Sequence, residues 1–185
     1  MTPQKWTLVS SRDISTSKWF PIEERTYKLP SGKIVDDFSV TTLADVAMIV
    51  PVTSEGKVIM VNQFKPGFGD VILEFPAGRI ESSHNSIEDT AIHELEEEAG
   101  IKIPSVEYYA TFAGFVTKGT EKVSCFIARD VVINTRQKLD ENEEIEVQLL
   151  KPERIDQLVR ENKIQAAVTI SAWELAKIKF PELFK

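Results

Sequence analysis

The sequence has little of what extracellular, membrane or disulfide-bonded proteins contain. Cys125 is the single cysteine among 185 residues, so no disulfide can form within the chain and a reducing compartment is expected. No apolar run approaches the roughly 20 residues that cross a bilayer, and no signal-like apolar segment opens the chain. We therefore expect a cytoplasmic protein with no membrane partner.

Positive charge is also scarce. Lysine and arginine total 22 against 29 aspartates and glutamates, which gives a net charge of −7. A protein that binds nucleic acid through its phosphates needs a basic surface, so nucleic acid is not an expected partner. An acidic protein that acts on a polyanionic small molecule needs local compensation, which a bound Mg²⁺ would supply. The hydrophobic content of 42% and charged content of 28% are typical of one globular domain with a sizeable core.

The most informative segment is acidic, HELEEEAG at residues 93–100. Glu94, Glu97 and Glu98 stand at i, i+3 and i+4, so on a helix they share one face. Like charges at this spacing destabilise the helix, and a divalent cation would convert that repulsion into binding. The alternative is a solvated acidic helix face, and this segment alone fits both interpretations.

Periodicity predicts the elements around this segment. The main helix is expected over Ile87–Ala99, with Ser86 as its N-cap and Gly100 as its C-cap. Strands are predicted at residues 6–9, 19–29, 34–40, 44–52, 58–64, 71–75, 106–112, 123–132 and 145–150, and further helices at 152–161 and 164–179. Strands that outnumber interspersed helices indicate mixed α/β layers and not a doubly wound sheet.

EFPAG at residues 74–78 and the acidic helix together resemble the Nudix hydrolase signature, G-x5-E-x7-R-E-U-x-E-E-x-G-U, where U is aliphatic. The matching positions are Gly78, Glu94, Leu95, Glu97, Glu98, Gly100 and Ile101. His93 stands where the signature has arginine, and His84 or Asn85 stands where it has its first glutamate. One residue is inserted between Gly78 and the helix. The glutamates expected to bind metal therefore match the signature, and the departures fall on the positions around them.

Residues 61–78 and 141–176 are similar to the ADP-ribose pyrophosphatase branch of that family. The resemblance implies an α/β fold, the Nudix α/β/α sandwich with a mixed sheet and an N-terminal antiparallel β-extension. Residues 1–43 would be the extension, which exchanges between the subunits of a homodimer and contacts the substrate base. Residues 44–185 would form the Nudix hydrolase domain.

The resemblance also implies a site. Glu94, Glu98 and the backbone carbonyl of Ala77 would hold the metal, with Mg²⁺ as the expected ion and Mn²⁺ as a substitute. Glu97 would be a catalytic residue, either a third ligand or a positioning base. Glu121, on a loop beyond the signature, matches the position of a catalytic base, and its alternative is a loop glutamate beside Lys122 without a lasting contact.

Two further residues are expected to bind substrate. Lys65 stands where the branch has an arginine against phosphate, and it keeps the charge without the bidentate fork. Its alternative is a solvated lysine at a strand end. Trp19 matches an aromatic residue that stacks on adenine, and its alternative is burial at the dimer seam. His93 is expected to be structural, and His84 to lie in an exposed loop.

The activity implied is metal-dependent hydrolysis of the diphosphate bond of a nucleoside diphosphate sugar, ADP-ribose giving AMP and ribose 5-phosphate. GDP-mannose or another nucleotide sugar is the alternative, because Ala113-Gly114 stand where the ADP-ribose branch usually has Pro-Gly. A second alternative is a nucleotide-binding protein that has lost catalysis, as the departures from the signature suggest. The retained metal glutamates argue against that alternative.

Overall fold

The computed structural model describes residues 2–184. Its strands are β1 (Thr7–Asp13), β2 (Ile22–Lys28), β3 (Ile34–Thr41), β4 (Val46–Pro51), β5 (Val58–Lys65), β6 (Asp70–Glu74), β7 (Ala77–Arg79), β8 (Glu107–Ala113), β9 (Lys122–Ala128) and β10 (Ile145–Leu150). The helices are α1 (Ile87–Ala99), α2 (Pro152–Arg160) and α3 (Ala167–Lys179), followed by a 3₁₀ turn, Pro181–Phe184. The chain divides into two compact units, Met1–Ala44 with Ala113–Lys122, and Asp45–Phe112 with Val123–Lys185.

The first unit is built on a three-stranded antiparallel sheet in the order β1-β2-β3. A turn joins β2 to β3, with the Leu29 N–H donating to Lys33 O at 2.9 Å. The predicted strand at 19–29 begins only at Ile22, because the Trp19 amide donates to the Ser17 hydroxyl in a preceding turn. The roles predicted for residues 1–43 in dimerisation and base contact stay predictions.

The second unit contains two sheets, with strand orders β10-β5-β6 and β7-β4-β9-β8. Within the second sheet β4 pairs parallel with β9 and antiparallel with β7, so the sheet is mixed as predicted. The short strand β7 is not among the predicted strands. Three residues cannot show a period, and only their pairing with β4 identifies them as a strand.

The core of the second unit lies on both sides of β4, whose side chains alternate between two apolar clusters. Met48 packs in one cluster with Trp173 of α3, while Ala47 packs in the other with Leu95 of α1. All four side chains are at most 5% exposed. A strand covered on both faces needs the nearly continuous apolar run seen at residues 44–52. The predicted α/β/α sandwich is therefore confirmed.

Helix α1 begins and ends at the predicted residues. The Ser86 hydroxyl accepts a hydrogen bond from the Asp89 amide at 3.0 Å, and Gly100 ends the helix in the left-handed region at φ 65°. A Cβ added at Gly100 would lie 2.7 Å from the carbonyl oxygen of Thr135, so this position also requires a residue without a side chain. These caps fix the helix ends and therefore which turn carries each glutamate.

Other boundaries differ from the prediction. β9 ends at Ala128 and not at the predicted residue 132. Two residues beyond Ala128, Asp130 adopts a positive φ of 52°, which strand geometry does not allow. Helix α3 begins at Ala167 and not at 164. No helix within residues 2–184 is long and apolar enough to cross a membrane.

Candidate active site

The short strand β7 turns one backbone edge toward α1. Ala77 lies opposite Met48 of β4, and the Ile49 N–H donates to Pro76 O at 3.0 Å. In an antiparallel ladder this bond marks the Met48/Ala77 pair as the non-hydrogen-bonded kind. The amide and carbonyl of Ala77 therefore both face away from β4 and are free to bind other groups.

Glu98 uses the first of these two groups. Its Oε2 accepts a hydrogen bond from the Ala77 amide at 3.0 Å, and the residue is only 4% exposed. The Ala77 carbonyl belongs to the same strand edge as this amide. A carbonyl oxygen and a buried carboxylate oxygen are thus presented on the same side of β7.

Glu94, one helical turn earlier, packs directly on the glycine of the EFPAG segment. A Cβ added at Gly78 would lie 2.6 Å from Oε2 of Glu94, and still closer to its Oε1 and Cδ. Any other residue at 78 would displace this carboxylate. The glycine and the first helical glutamate of the signature therefore form one close contact.

The electrostatic environment of Glu94 is unfavourable to its ionised form. The pKa of Glu94 is raised to about 7, chiefly by burial and then by the negative charges of Glu97, Glu143 and Glu81, against a smaller lowering by Lys65. A divalent cation beside this carboxylate would reverse that balance.

Glu98 is affected in the same way and more strongly. The pKa of Glu98 is raised to about 8, chiefly by burial and then by the charge of Glu94, with a small contribution from Glu74. The hydrogen bond from the Ala77 amide and the charge of Lys65 lower it. Two neighbouring carboxylates whose ionisation is opposed by burial and by nearby negative charge form a site suited to a positive ion.

The donor set fits Mg²⁺ or Mn²⁺, hard cations that bind one or two carboxylates and carbonyl oxygens and take their remaining ligands from water or phosphate. Glu94, Glu98 and the Ala77 carbonyl supply two side chains and one backbone oxygen. Within residues 2–184 no group of three or more histidine, cysteine, aspartate and glutamate side chains is arranged to hold a metal ion. The site would thus be completed by oxygens from outside the chain.

Lys65, at the end of β5, supplies positive charge to this cluster. Its ammonium lies 2.5 Å from Oε1 of Glu74 and also donates to the side chain of Gln63. The same charge lowers the pKa values of Glu94 and Glu98. The charge of Lys65 therefore favours the ionised forms of Glu94 and Glu98.

The NUDIX domain family model matches residues 42–172 of this chain. The chain belongs to the Nudix family. The ADP-ribose pyrophosphatase of Bacillus subtilis is 32% identical over 175 residues, which is 92% of each chain. The ADP-sugar pyrophosphatase of Mus musculus is 40% identical over 111 residues, 55% of this chain and 50% of that one.

A crystal structure of an ADP compounds hydrolase matches the fold with a TM-score of 0.84. The match covers 98% of this chain and 97% of the other at 19% sequence identity, so it shows likeness of fold. Together these comparisons identify a Nudix pyrophosphatase of the ADP-ribose pyrophosphatase-like branch.

Glu97, the middle glutamate of the Nudix signature, differs from its two neighbours. It is exposed on α1, and its backbone carbonyl accepts a hydrogen bond from the Lys138 amide at 2.9 Å. Its charge is the second largest cause of the raised pKa of Glu94. Glu97 therefore lies near Glu94 on the solvent side of the helix, and its predicted catalytic role stays a prediction.

Trp19 and Glu121 belong to the first unit, whereas Ala77, Glu94 and Glu98 belong to the second. The Trp19 side chain is 74% exposed, and the ammonium of Lys18 lies 4.6 Å from its ring centroid. Within its own unit Trp19 is thus a surface residue with an accessible ring. Its two interpretations, base stacking and a dimer seam, both stay predictions.

Glu121 lies in a loop that is attached to β3, since the Thr41 N–H donates to Lys118 O at 2.6 Å. Its Oε2 is buried and finds no hydrogen-bond partner within residues 2–184. A Cβ added at Gly119 would lie 2.8 Å from the carboxyl carbon of Glu121, so the glycine makes room for this side chain. An unpartnered buried oxygen is costly unless a water molecule or a ligand occupies the space beside it, and the predicted role of Glu121 as a base stays a prediction.

Two residues near the Nudix helix were missed or misplaced by sequence reasoning. Glu143 contributes to the raised pKa of Glu94, and the acidic run at residues 140–144 was its only sequence signal. His84 was expected in an exposed loop. That expectation is wrong, because its ring stacks on His93 and is partly buried.

Proposed function

We propose that the chain hydrolyses the diphosphate bond of a nucleoside diphosphate sugar, with ADP-ribose as substrate and AMP and ribose 5-phosphate as products. The proposal is carried by the buried Glu98 carboxylate, held at 3.0 Å by the Ala77 amide beside Glu94. It is supported by similarity to proteins named ADP-ribose pyrophosphatase and ADP-sugar pyrophosphatase. Mg²⁺ is the proposed ion and Mn²⁺ its substitute.

A diphosphate resists water because its charged oxygens repel nucleophiles. In this proposal Glu94, Glu98 and the Ala77 carbonyl hold a divalent ion, which when bound neutralises phosphate charge and lowers the pKa of a coordinated water. The chain contributes donors that are fixed before substrate arrives. The Glu94 carboxylate packs closely on Gly78, and the Ala77 amide orients Glu98.

Lys65 and Trp19 are the proposed substrate-binding residues. The ammonium of Lys65 is paired with the Glu74 carboxylate. A negatively charged phosphate oxygen of the substrate could compete with that carboxylate for the ammonium. Trp19 would stack on the base, a contact that any nucleobase can make because each has a π-face. Neither residue selects adenine by hydrogen bonding, so base preference depends on other groups.

A base must also accept a proton from the attacking water. Glu121 is proposed from the resemblance, and its buried, unpartnered Oε2 supports a functional role. Glu143 is a second candidate, because its charge acts directly on Glu94. Substitution of each residue separates the two.

We also propose a homodimer formed through the first unit. Strand β1 is exposed along its whole length, and it presents large apolar side chains, with Leu8 50% and Val9 57% exposed. Apolar surface of this kind is usually covered by a partner. We propose that this partner is a second copy of the chain, in line with the dimerisation role predicted for residues 1–43.

The test is a coupled assay in which alkaline phosphatase releases phosphate only from the monoester products. ADP-ribose, GDP-mannose, UDP-glucose, diadenosine polyphosphates and NADH are compared with and without Mg²⁺, and Glu98→Gln serves as the inactive control. We expect metal-dependent cleavage of ADP-ribose well above the rest. Preference for GDP-mannose would correct the substrate, and no cleavage with Mg²⁺ or Mn²⁺ would refute the proposal.

A further inference from the structure

The two histidines of the chain lie against each other beside the Nudix helix. His84 lies in the loop between β7 and α1, and His93 lies on α1 immediately before Glu94. Their ring centroids are 5.0 Å apart and the ring planes differ by 18°, so the rings are stacked. These are the positions at which the sequence departs from the Nudix signature.

His84 also ties the loop to the helix by hydrogen bonds. Its Nδ1 lies 3.0 Å from Oγ1 of Thr90, a fully buried residue of α1. The Glu81 amide donates to the same nitrogen at 3.3 Å. The ring therefore links the backbone of the loop to a fixed point in the helix.

His93 is held from the helix side. Its Nδ1 lies 2.8 Å from the carbonyl oxygen of Asp89, and because a carbonyl only accepts, this nitrogen carries the hydrogen. Oδ2 of Asp89 accepts from the backbone and side-chain nitrogens of Asn85, each at 3.0 Å. The second histidine thus joins a network that returns to the same loop.

A metal site between the two rings does not fit this geometry. The lone pairs of imidazole nitrogens lie in the ring planes, so nearly parallel stacked rings cannot direct them to one ion. Both Nδ1 atoms are also already in contact with protein groups. What the arrangement does provide is rigidity between the loop and α1.

We propose that His84 and His93 form a clasp that positions the metal donors by holding the loop against α1. The loop joins Ala77 and Gly78 to the helix that carries Glu94. A loop with a fixed conformation therefore keeps the Ala77 carbonyl at a constant position relative to the helical glutamates. The clasp acts through the metal donors and touches neither substrate nor ion. The inference rests on the metal-binding part of the proposed function.

The direct test is Mn²⁺ binding, followed by the loss of the free-ion signal in electron paramagnetic resonance. Groups that orient metal ligands typically change metal affinity 10–100-fold when removed. We expect His84→Ala and His93→Ala each to raise the Mn²⁺ dissociation constant about tenfold. The double variant should be little worse than either, because both single changes break the same contact.

Ser82→Ala is the matched control in the same loop, and it should bind Mn²⁺ like the wild type. His93→Arg is the conservative variant, because a guanidinium plane can stack on the His84 ring. It should keep wild-type Mn²⁺ affinity and equal or higher turnover. Loss of affinity in His93→Arg as large as in His93→Ala would overturn the clasp.

Thermal unfolding separates positioning from a purely structural role. Variants that lose melting temperature but bind Mn²⁺ like the wild type would overturn the inference, as would additive effects of the two alanine substitutions. Failure of the proposed function is distinguishable. A wild-type protein that binds Mn²⁺ without cleaving any nucleotide sugar would refute the substrate, while the Mn²⁺ titrations would still decide the clasp.

Discussion

The replacement Glu98→Gln should stabilise the metal-free protein at alkaline pH while abolishing its activity. Glu98 is 4% exposed, and in the absence of a cation its charge is opposed by burial and by Glu94. Glutamine has the same shape, and its Oε1 can accept the hydrogen bond from the Ala77 amide. The substitution therefore removes the charge and keeps the local packing.

The magnitude follows from the raised pKa. The pKa of Glu98 rises from 4.5 to about 8 in the folded protein. At about 1.4 kcal/mol per pKa unit, the ionised carboxylate costs the metal-free fold on the order of 5 kcal/mol. The buried amide group of glutamine offsets about 1 kcal/mol of the gain. We expect a net increase on the order of 4 kcal/mol in the free energy of unfolding at pH 9.

The pH dependence has a defined sign. Between pH 4.5 and about 8 the folded wild-type protein holds a proton on Glu98 that the unfolded chain has lost, so stability falls as the pH rises through this window. The penalty is absent below the window and constant above it. Glu98→Gln lacks this titration, so the advantage of the variant should grow across the window.

The measurement is urea unfolding in EDTA at pH 5 and pH 9, for wild type and variant. Glu88→Gln, on an exposed position of the same helix, is the control and should show no comparable gain. Added Mg²⁺ should stabilise the wild type more than Glu98→Gln, since only the wild type keeps both carboxylates. A variant no more stable than wild type at pH 9 would refute the reasoning, and undiminished turnover would remove Glu98 from the metal site.

Three further predictions test neighbouring parts of the site. Gly78→Ala should reduce turnover at least 100-fold, because its methyl group would occupy the place of the Glu94 carboxylate, and wild-type kinetics would contradict that contact. If Glu121 or Glu143 is the base, its replacement by glutamine should lower kcat by about 10²- to 10⁴-fold and leave the substrate KM unchanged. Wild-type kcat in both Glu121→Gln and Glu143→Gln would exclude both residues as the base. Light scattering at micromolar concentration should give a dimer, and a monomeric mass would refute the proposed assembly through the first unit.

The amino-acid sequence alone predicted the helix, its caps and the spacing that places Glu94 and Glu98 one turn apart. Ser86 and Gly100 act on backbone groups within a few residues, and the i, i+4 spacing of Glu94 and Glu98 is a property of any helix. The central strand was equally predictable, because a strand covered on both faces needs a continuous apolar run. Each of these features depends on neighbours close in the sequence.

Tertiary structure decided how these parts meet. The pairing of β7 with β4 turns the Ala77 amide toward Glu98, and no period in three residues could reveal it. The burial that separates Glu98 from the exposed Glu97 depends on which side of α1 packs on the sheets. Both glutamates looked alike in the sequence, and only packing gave them different surroundings.

The pairing of His84 with His93 shows the same division. Each appeared in the sequence as a separate departure from the Nudix signature, one in a lengthened loop and one on the helix. Whether the loop carries His84 over α1 depends on the path of the eight intervening positions, which sequence spacing does not fix. The stacking of the rings is a contact between a loop and the helix that follows it, and such contacts are determined only when the chain packs.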